Sequence, residues 1–131
     1  MNVILVDTSV WINYFKAKET TASLFLKNNL SSIVIATCPT ILQEVLQGIV
    51  SDQEFAKVNS YFHTLFLLTG NSYKIAYEAA QLYRELRKKG ITVRKPNDCL
   101  IACYAINYNV LLLQDDKDFQ LIAQHSALKL A

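Results

Sequence analysis

The sequence predicts an α/β fold, a mostly parallel sheet covered by helices on both faces. Three observations predict it. Short continuous apolar runs, Val3 to Val6 directly before Asp7 and Val110 to Leu113 one residue before Asp115, end in acid; such runs suit strands buried on both faces. Longer segments with apolar residues at helical spacing lie between the strand-like runs, and strands alternating with helices make a parallel sheet. Hydrophobic residues form 52% of the 131, enough for a real core, and the length suits about one domain. With Gly at 3 and Pro at 2, disordered and linker-rich readings are poor. Residues 1–131 are therefore expected to form one domain.

Each element follows in order. Val3 to Val6 is the first strand. Asp7 or Thr8 caps a helix through about Phe15, with Trp11, Ile12 and Phe15 on its apolar stripe. Lys16 to Thr20 is a polar turn. Thr20 or Thr21 opens a second helix to about Asn29, with Ala22, Phe25 and Leu26 inward. Ser32 to Ala36 is a second buried strand. Pro39 opens a helix where its missing N–H costs little, carrying Ile41, Leu42, Val45, Leu46 and Ile49. Asp52 starts another with Phe55, Val58, Tyr61 and Phe62. Leu65 to Thr69 is a third strand with a weak signal, and Asn71 or Ser72 caps a long helix to about Lys89. Ile91 to Lys95 is a loop. Pro96 and Asn97 begin a helix through about Tyr108. Val110 to Gln114 is the fourth strand. A helix, or a turn and then a helix, occupies Asp116 to Gln124, and Leu128 to Leu130 makes a short final strand.

A formal charge of +2 is too mild to demand a nucleic-acid partner, so distribution matters more. Arg84, Arg87, Lys88, Lys89, Arg94 and Lys95 crowd one stretch. They read either as a solvated helix end, where cations suit the macrodipole and Gly90 stops the helix, or as a phosphate-facing patch. Cys38, Cys99 and Cys103 are an odd set on helical segments, and His63 and His125 show no ligand spacing. The thiols read as buried apolar groups, not as a disulfide framework or a metal site. The amino terminus lacks signal-peptide features, and no apolar run approaches the ~20 residues that span a bilayer. The expectation is a soluble cytoplasmic protein.

Four acids stand apart. Asp7 ends the first strand, where ligand sites of open α/β sheets collect; helix capping is its plain alternative. Glu44 sits on the flank of its helix's apolar stripe, with Gly48 one turn on. That Gly either clears space or marks the helix end. Asp98 lies in the first turn of a helix so apolar, through Leu100, Ile101, Ala102, Ala105 and Ile106, that it must be largely buried. Asp115, Asp116 and Asp118 follow the fourth strand, where clustered acids repel without a cation unless the turn is solvated. Together these carboxylates offer oxygen-only ligands of the kind Mg²⁺ and Mn²⁺ take.

These motifs resemble the PIN domain family, specifically the VapC-like ribonuclease toxins of prokaryotic toxin–antitoxin pairs. Val6-Asp7-Thr8-Ser9 matches the family's early strand-Asp pattern, and Glu44 to Gly48 its Glu-x-x-x-Gly helix. Asp98-Cys99-Leu100-Ile101-Ala102 matches its Asp-x-Leu-Ile-Ala helix, and Asp116-Lys117-Asp118-Phe119 its terminal acids. The resemblance covers nearly the whole chain. It implies a three-layer α/β/α sandwich and Mg²⁺- or Mn²⁺-dependent endoribonuclease activity, frequently on structured RNA such as tRNA. It further implies dimerisation and inhibition by a small antitoxin. By carry-over Asp7, Glu44, Asp98 and Asp116 form the metal-binding core, Thr8 or Ser9 supports it by hydrogen bonding, and Asp118 is accessory. Many relatives have Ser or Thr where this chain has Gln114. Asp115 beside Asp116 leaves the fourth ligand ambiguous by one position, with Asp116 preferred for its register with Phe119.

Two other classes compete. A non-catalytic PIN-like module would bind RNA or protein without cutting. A Mg²⁺-dependent phosphotransfer domain would want an acceptor acid after a middle strand, where this chain has Ala36-Thr37-Cys38, and a dehalogenase-type phosphatase an Asp where Ser9 stands.

Overall fold

The computed structural model describes residues 2–131. In chain order its elements are β1 (Val3–Val6), α1 (Thr8–Phe15), α2 (Thr21–Asn29), β2 (Val34–Thr37), α3 (Pro39–Gln47) and α4 (Asp52–Phe62), then β3 (Phe66–Leu67), α5 (Ser72–Lys88), α6 (Pro96–Tyr108), β4 (Leu111–Leu113) and α7 (Asp118–Gln124). The four strands pair in the order β3-β2-β1-β4, all parallel. The predicted α/β/α architecture is the one observed.

The chain builds outward from β1 through β2 to β3, then returns to place β4 on the other side of β1. The strand order therefore reverses between β1 and β4, and a crevice opens beyond their carboxyl ends. Register fixes its floor. Val6 pairs with Leu113, and the next backbone N–H, that of Asp7, donates to Leu113 O at 2.9 Å. The first and last acidic motifs thus leave neighbouring strands at one level.

β1 is buried along Ile4, Leu5 and Val6 because helices cover both faces. Trp11 is fully buried and packs against Phe15, Tyr14, Tyr61 and Phe62. Helix α6 is the most deeply buried helix, hiding Cys99 and everything from Ile101 to Ala105. Its largely apolar sequence demands this. Gly90, at φ +80°, ends α5 in the left-handed region as expected of a helix-stopping glycine. The three cysteines are free and buried. Burial pushes the Cys38 and Cys103 thiols up to about 12 and Cys99 to about 11, so they are inert apolar groups.

Several expectations need correction. The third strand shrinks to Phe66–Leu67, both exposed at the sheet edge, while Leu68 beyond them is buried. The final strand reduces to one bridge from Leu130 to Leu112, since β4 has only three residues to offer. Phe25 is not inward. The buried face of α2 is Ala22, Ser23 and Leu26, because the Thr20–Ser23 capping box turns Ser23 inside. On α4 Val58 and Phe62 are buried, while Phe55 and Tyr61 are substantially exposed. No helix among the described residues is long and apolar enough to cross a membrane.

Candidate active site

Asp7 caps its helix and keeps one oxygen out of the cap. Its Oδ2 caps α1, accepting from the Ser9 backbone at 3.0 Å and the Ser9 hydroxyl at 2.5 Å. Its Oδ1 is buried and has no partner. Burial raises the Asp7 pKa, and the Ser9 bonds oppose that rise. A carboxylate held by one oxygen presents the other in a fixed direction.

Glu44 is half-buried on α3. The Thr8 hydroxyl donates to its Oε1 at 2.6 Å, and Asn97 Nδ2 lies 3.5 Å from Oε2. Gly48 clears no space for it. A Cβ there would meet only the carbonyls of Val45 and Glu44, at 3.7 and 4.0 Å, with φ at −85°. Gly48 simply ends the helix.

Asp98 sits in the first turn of α6 behind Pro96 and is 4% exposed. Its Oδ2 is a second buried oxygen with no partner. Burial pushes its pKa up to about 8, and the charges of Asp7 and Asp116 add to this; Lys95 opposes it, and Glu44 adds a last increment. The other three core acids therefore all act on the Asp98 carboxyl. Asp7, Glu44 and Asp98 line one cavity of about 220 Å³ with Thr8, Ser9 and Lys95.

Asp116 adjoins from the β4 side. Its backbone N–H donates to Gln114 Oε1 at 2.7 Å. Gln114 thus braces the loop through its carboxamide. Asp116 Oδ1 accepts from the Asp118 backbone at 3.0 Å and from Arg94 Nη2 at 3.1 Å, while Lys95 Nζ lies 3.5 Å from Oδ2. Asp118 is buried, and its Oδ2 accepts from the Arg94 backbone at 3.0 Å and from Arg94 Nε at 3.2 Å. Asp98, Asp116 and Asp118 each bring a carboxylate oxygen within 4.8 Å of the others, close enough to share a cation. Asp115 is turned away. Its exposed carboxylate accepts from Asn13 at 2.9 Å and Thr20 at 2.7 Å, and its backbone N–H donates to Ser9 Oγ at 3.0 Å.

The basic stretch divides. Arg94 and Lys95 reach the acids. Arg84, Arg87, Lys88 and Lys89 are exposed along the end of α5, with Arg87 over the Tyr83 ring at 5.7 Å. Among the described residues none of these four forms an ion pair. Sequence reasoning missed the clamp made by Arg94, the Gln114 brace and the Asn13–Thr20 hold on Asp115. Only Arg94 had a visible signal, four residues before Asp98.

The donor set fits a hard divalent cation. It is all oxygen, and two buried carboxylate oxygens lack partners, a costly state unless something binds them.

The PIN domain profile matches residues 4–124. The chain is 35% identical to the VapC ribonuclease Mb1587 of Mycobacterium bovis over 98% of both chains. It is 33% identical to ribonuclease VapC1 of Methanocaldococcus jannaschii over 87% of this chain and 76% of that one. Among solved structures, the VapBC2 complex of Rickettsia felis superposes with a TM-score of 0.76, at 20% identity over 98% of this chain and 97% of that one. VapBC-1 of nontypeable Haemophilus influenzae gives 0.74, at 19% identity over 98% and 96%. Full-length identity to a VapC ribonuclease, the profile match and the shared fold agree with the acidic site at the β1/β4 crevice: this chain belongs to the PIN domain family, in its VapC branch.

Proposed function

We propose that this protein is a metal-dependent endoribonuclease that hydrolyses RNA phosphodiester bonds and serves as the toxin of a toxin–antitoxin pair. The observation that carries the reading is the pair of unpartnered buried oxygens, Asp7 Oδ1 and Asp98 Oδ2, beside acids whose charges raise the proton affinity of Asp98. Identity of 35% to VapC ribonucleases along the whole chain supports RNA as the substrate. The likeness to VapBC complexes supports an antitoxin partner. A homodimer and a cytoplasmic setting belong to the same reading.

Asp7, Glu44, Asp98 and Asp116 would hold Mg²⁺ or Mn²⁺, with Asp118 beside them. When bound, the cation lowers the pKa of a coordinated water and stabilises charge on the leaving oxygen. The chain's residues do the rest. Asp98, raised in pKa by burial, would bind the cation as the carboxylate. Ser9 and Thr8 fix the Asp7 and Glu44 carboxylates from behind, so that little ordering is needed at binding. Arg94 and Lys95, exposed on their outer sides, contact RNA phosphates along the rim. Arg84, Arg87, Lys88 and Lys89 extend that basic track.

The test is cleavage of total cellular RNA by purified protein with Mn²⁺, beside EDTA and an Asp98→Asn control. Discrete fragments absent from both controls are expected. Intact RNA in every lane, with metal binding verified separately, would move the reading to the non-catalytic RNA- or protein-binding module.

A further inference from the structure

A larger cavity, about 400 Å³, opens on the other side of Asp116. It lies between α2, the end of β4 and the start of α7. Three side chains that are not acids of the site meet there: Phe25, 36% exposed on α2; Gln114, which braces Asp116; and Gln120 on α7. Its size falls in the range of small-ligand pockets, about 300–1,000 Å³. Its wall is mixed: Phe25 with the apolar Ala22, Leu113 and Ala131, the carboxamide residues Gln114 and Gln120, Thr21, Lys117, and the acids Asp115 and Asp116 on the side of the acid cluster.

The hydrogen-bonding capacity is mostly free. Gln114 spends its Oε1 on the Asp116 N–H, which leaves the Nε2 donors and fixes which way the amide points. Among the described residues the side chains of Gln120, Thr21 and Lys117 make no hydrogen bond. Asp116 is shared between this wall and the three-aspartate cluster, so whatever fills the cavity abuts the acids.

We propose that this cavity receives the unpaired base of the nucleotide next to the scissile phosphate, stacked against Phe25 and read by the Gln114 and Gln120 carboxamides. The inference rests on the ribonuclease reading of the adjoining site. A single-stranded base offers a π-face for an aromatic ring and free edges for amides. Base pairing would deny it the edges, so the subsite selects unpaired RNA. Lys117 sits where the flanking phosphate of that nucleotide enters.

The test has two independent readouts. The first is the fluorescence of a short single-stranded RNA containing 2-aminopurine, mixed with the protein in Ca²⁺. The second is end-mapping of a randomised single-stranded RNA cut in Mn²⁺. Wild-type protein, Phe25→Leu and Gln120→Ala are compared with Phe66→Leu, an exposed aromatic on the opposite sheet edge, and all four are checked for folding by thermal melting. Expected are a saturable change in 2-aminopurine signal, weakened roughly tenfold in Phe25→Leu and not in Phe66→Leu, and a base preference beside the cut that flattens in Phe25→Leu and Gln120→Ala. KM should rise more than kcat falls. If wild type cuts RNA but both readouts match across the variants, the subsite is wrong and the ribonuclease stands. If wild type cuts nothing yet the signal depends on Phe25, the ribonuclease reading fails and the base site stands. If the protein neither binds nor cuts the RNA, both fall.

Discussion

The Thr8 hydroxyl donates a 2.6 Å hydrogen bond to Glu44 Oε1, tying together residues 36 apart in the chain. This bond holds the one core acid that is carried on a surface-facing flank of its helix. Partners behind a metal ligand typically matter by 10–100-fold in affinity or activity. Thr8→Ala should therefore weaken Mn²⁺ binding roughly tenfold, measured by calorimetric titration, while Thr8→Ser should recover most of it. Equal affinity in wild type and Thr8→Ala would mean that Glu44 needs no such support or is no ligand.

Asp115 and Asp116 are adjacent but face different partners, Asn13 and Thr20 for the first and the acid cluster for the second. Asp116→Asn should lower RNA cleavage by more than the roughly 100-fold that a lost supporting partner costs. Asp115→Asn should cost only a few-fold, through a looser join between α1 and the turn before α2. Single-turnover rates at saturating Mn²⁺ would decide. The reverse ranking would move the fourth ligand to Asp115.

The strands ending in acid and the buried α6 were legible because period and apolarity record burial directly. Asp7, Glu44, Asp98 and Asp116 were legible as motifs. Which oxygens were free was not, since it depends on the rotamer that Ser9 fixes locally on Asp7 and on Thr8 and Arg94 meeting Glu44, Asp116 and Asp118 across the fold. Phe25 misled for a related reason. Helical spacing put it beside Leu26 on the inner stripe, but the Thr20–Ser23 capping box rotated a serine inward instead. The basic stretch looked uniform in sequence and is not: the end of α5 separates Arg84–Lys89 from Arg94 and Lys95, which turn back onto the acids.

Arg94 bridges Asp116 and Asp118 at 3.1 and 3.2 Å while its side chain stays 69% exposed. Those carboxylates raise its pKa, and it in turn neutralises charge that a cation would otherwise meet. Arg94→Gln should therefore tighten Mn²⁺ binding several-fold in a direct titration. The same variant should weaken RNA binding and reduce the magnitude of its salt slope by about 1, the mark of one lost phosphate contact. Unchanged metal affinity would show that the guanidinium and the cation occupy separate parts of the cluster.

Asp98 makes the metal-free protein sensitive to pH in a definite direction. Its carboxyl ordinarily titrates at 3.8, but burial and the neighbouring charges of Asp7 and Asp116 push it to about 8 in the folded chain. Below the lower value both folded and unfolded states are protonated. Between the two the unfolded chain has lost a proton that the folded chain retains, so stability falls as pH rises through that window. Above about 8 the full penalty of a buried, crowded charge is present. Asn carries the shape of the neutral acid without the proton, so Asp98→Asn should escape the loss. In EDTA the melting temperature of Asp98→Asn should exceed that of wild type by an amount that grows from pH 5 to pH 8.5. Adding Mn²⁺ at pH 8 should then reverse the order, because binding to the native state stabilises by mass action and the mutant has lost a ligand. Parallel melting curves across the pH range, or an equal Mn²⁺ gain in both proteins, would place the strain and the cation somewhere other than Asp98.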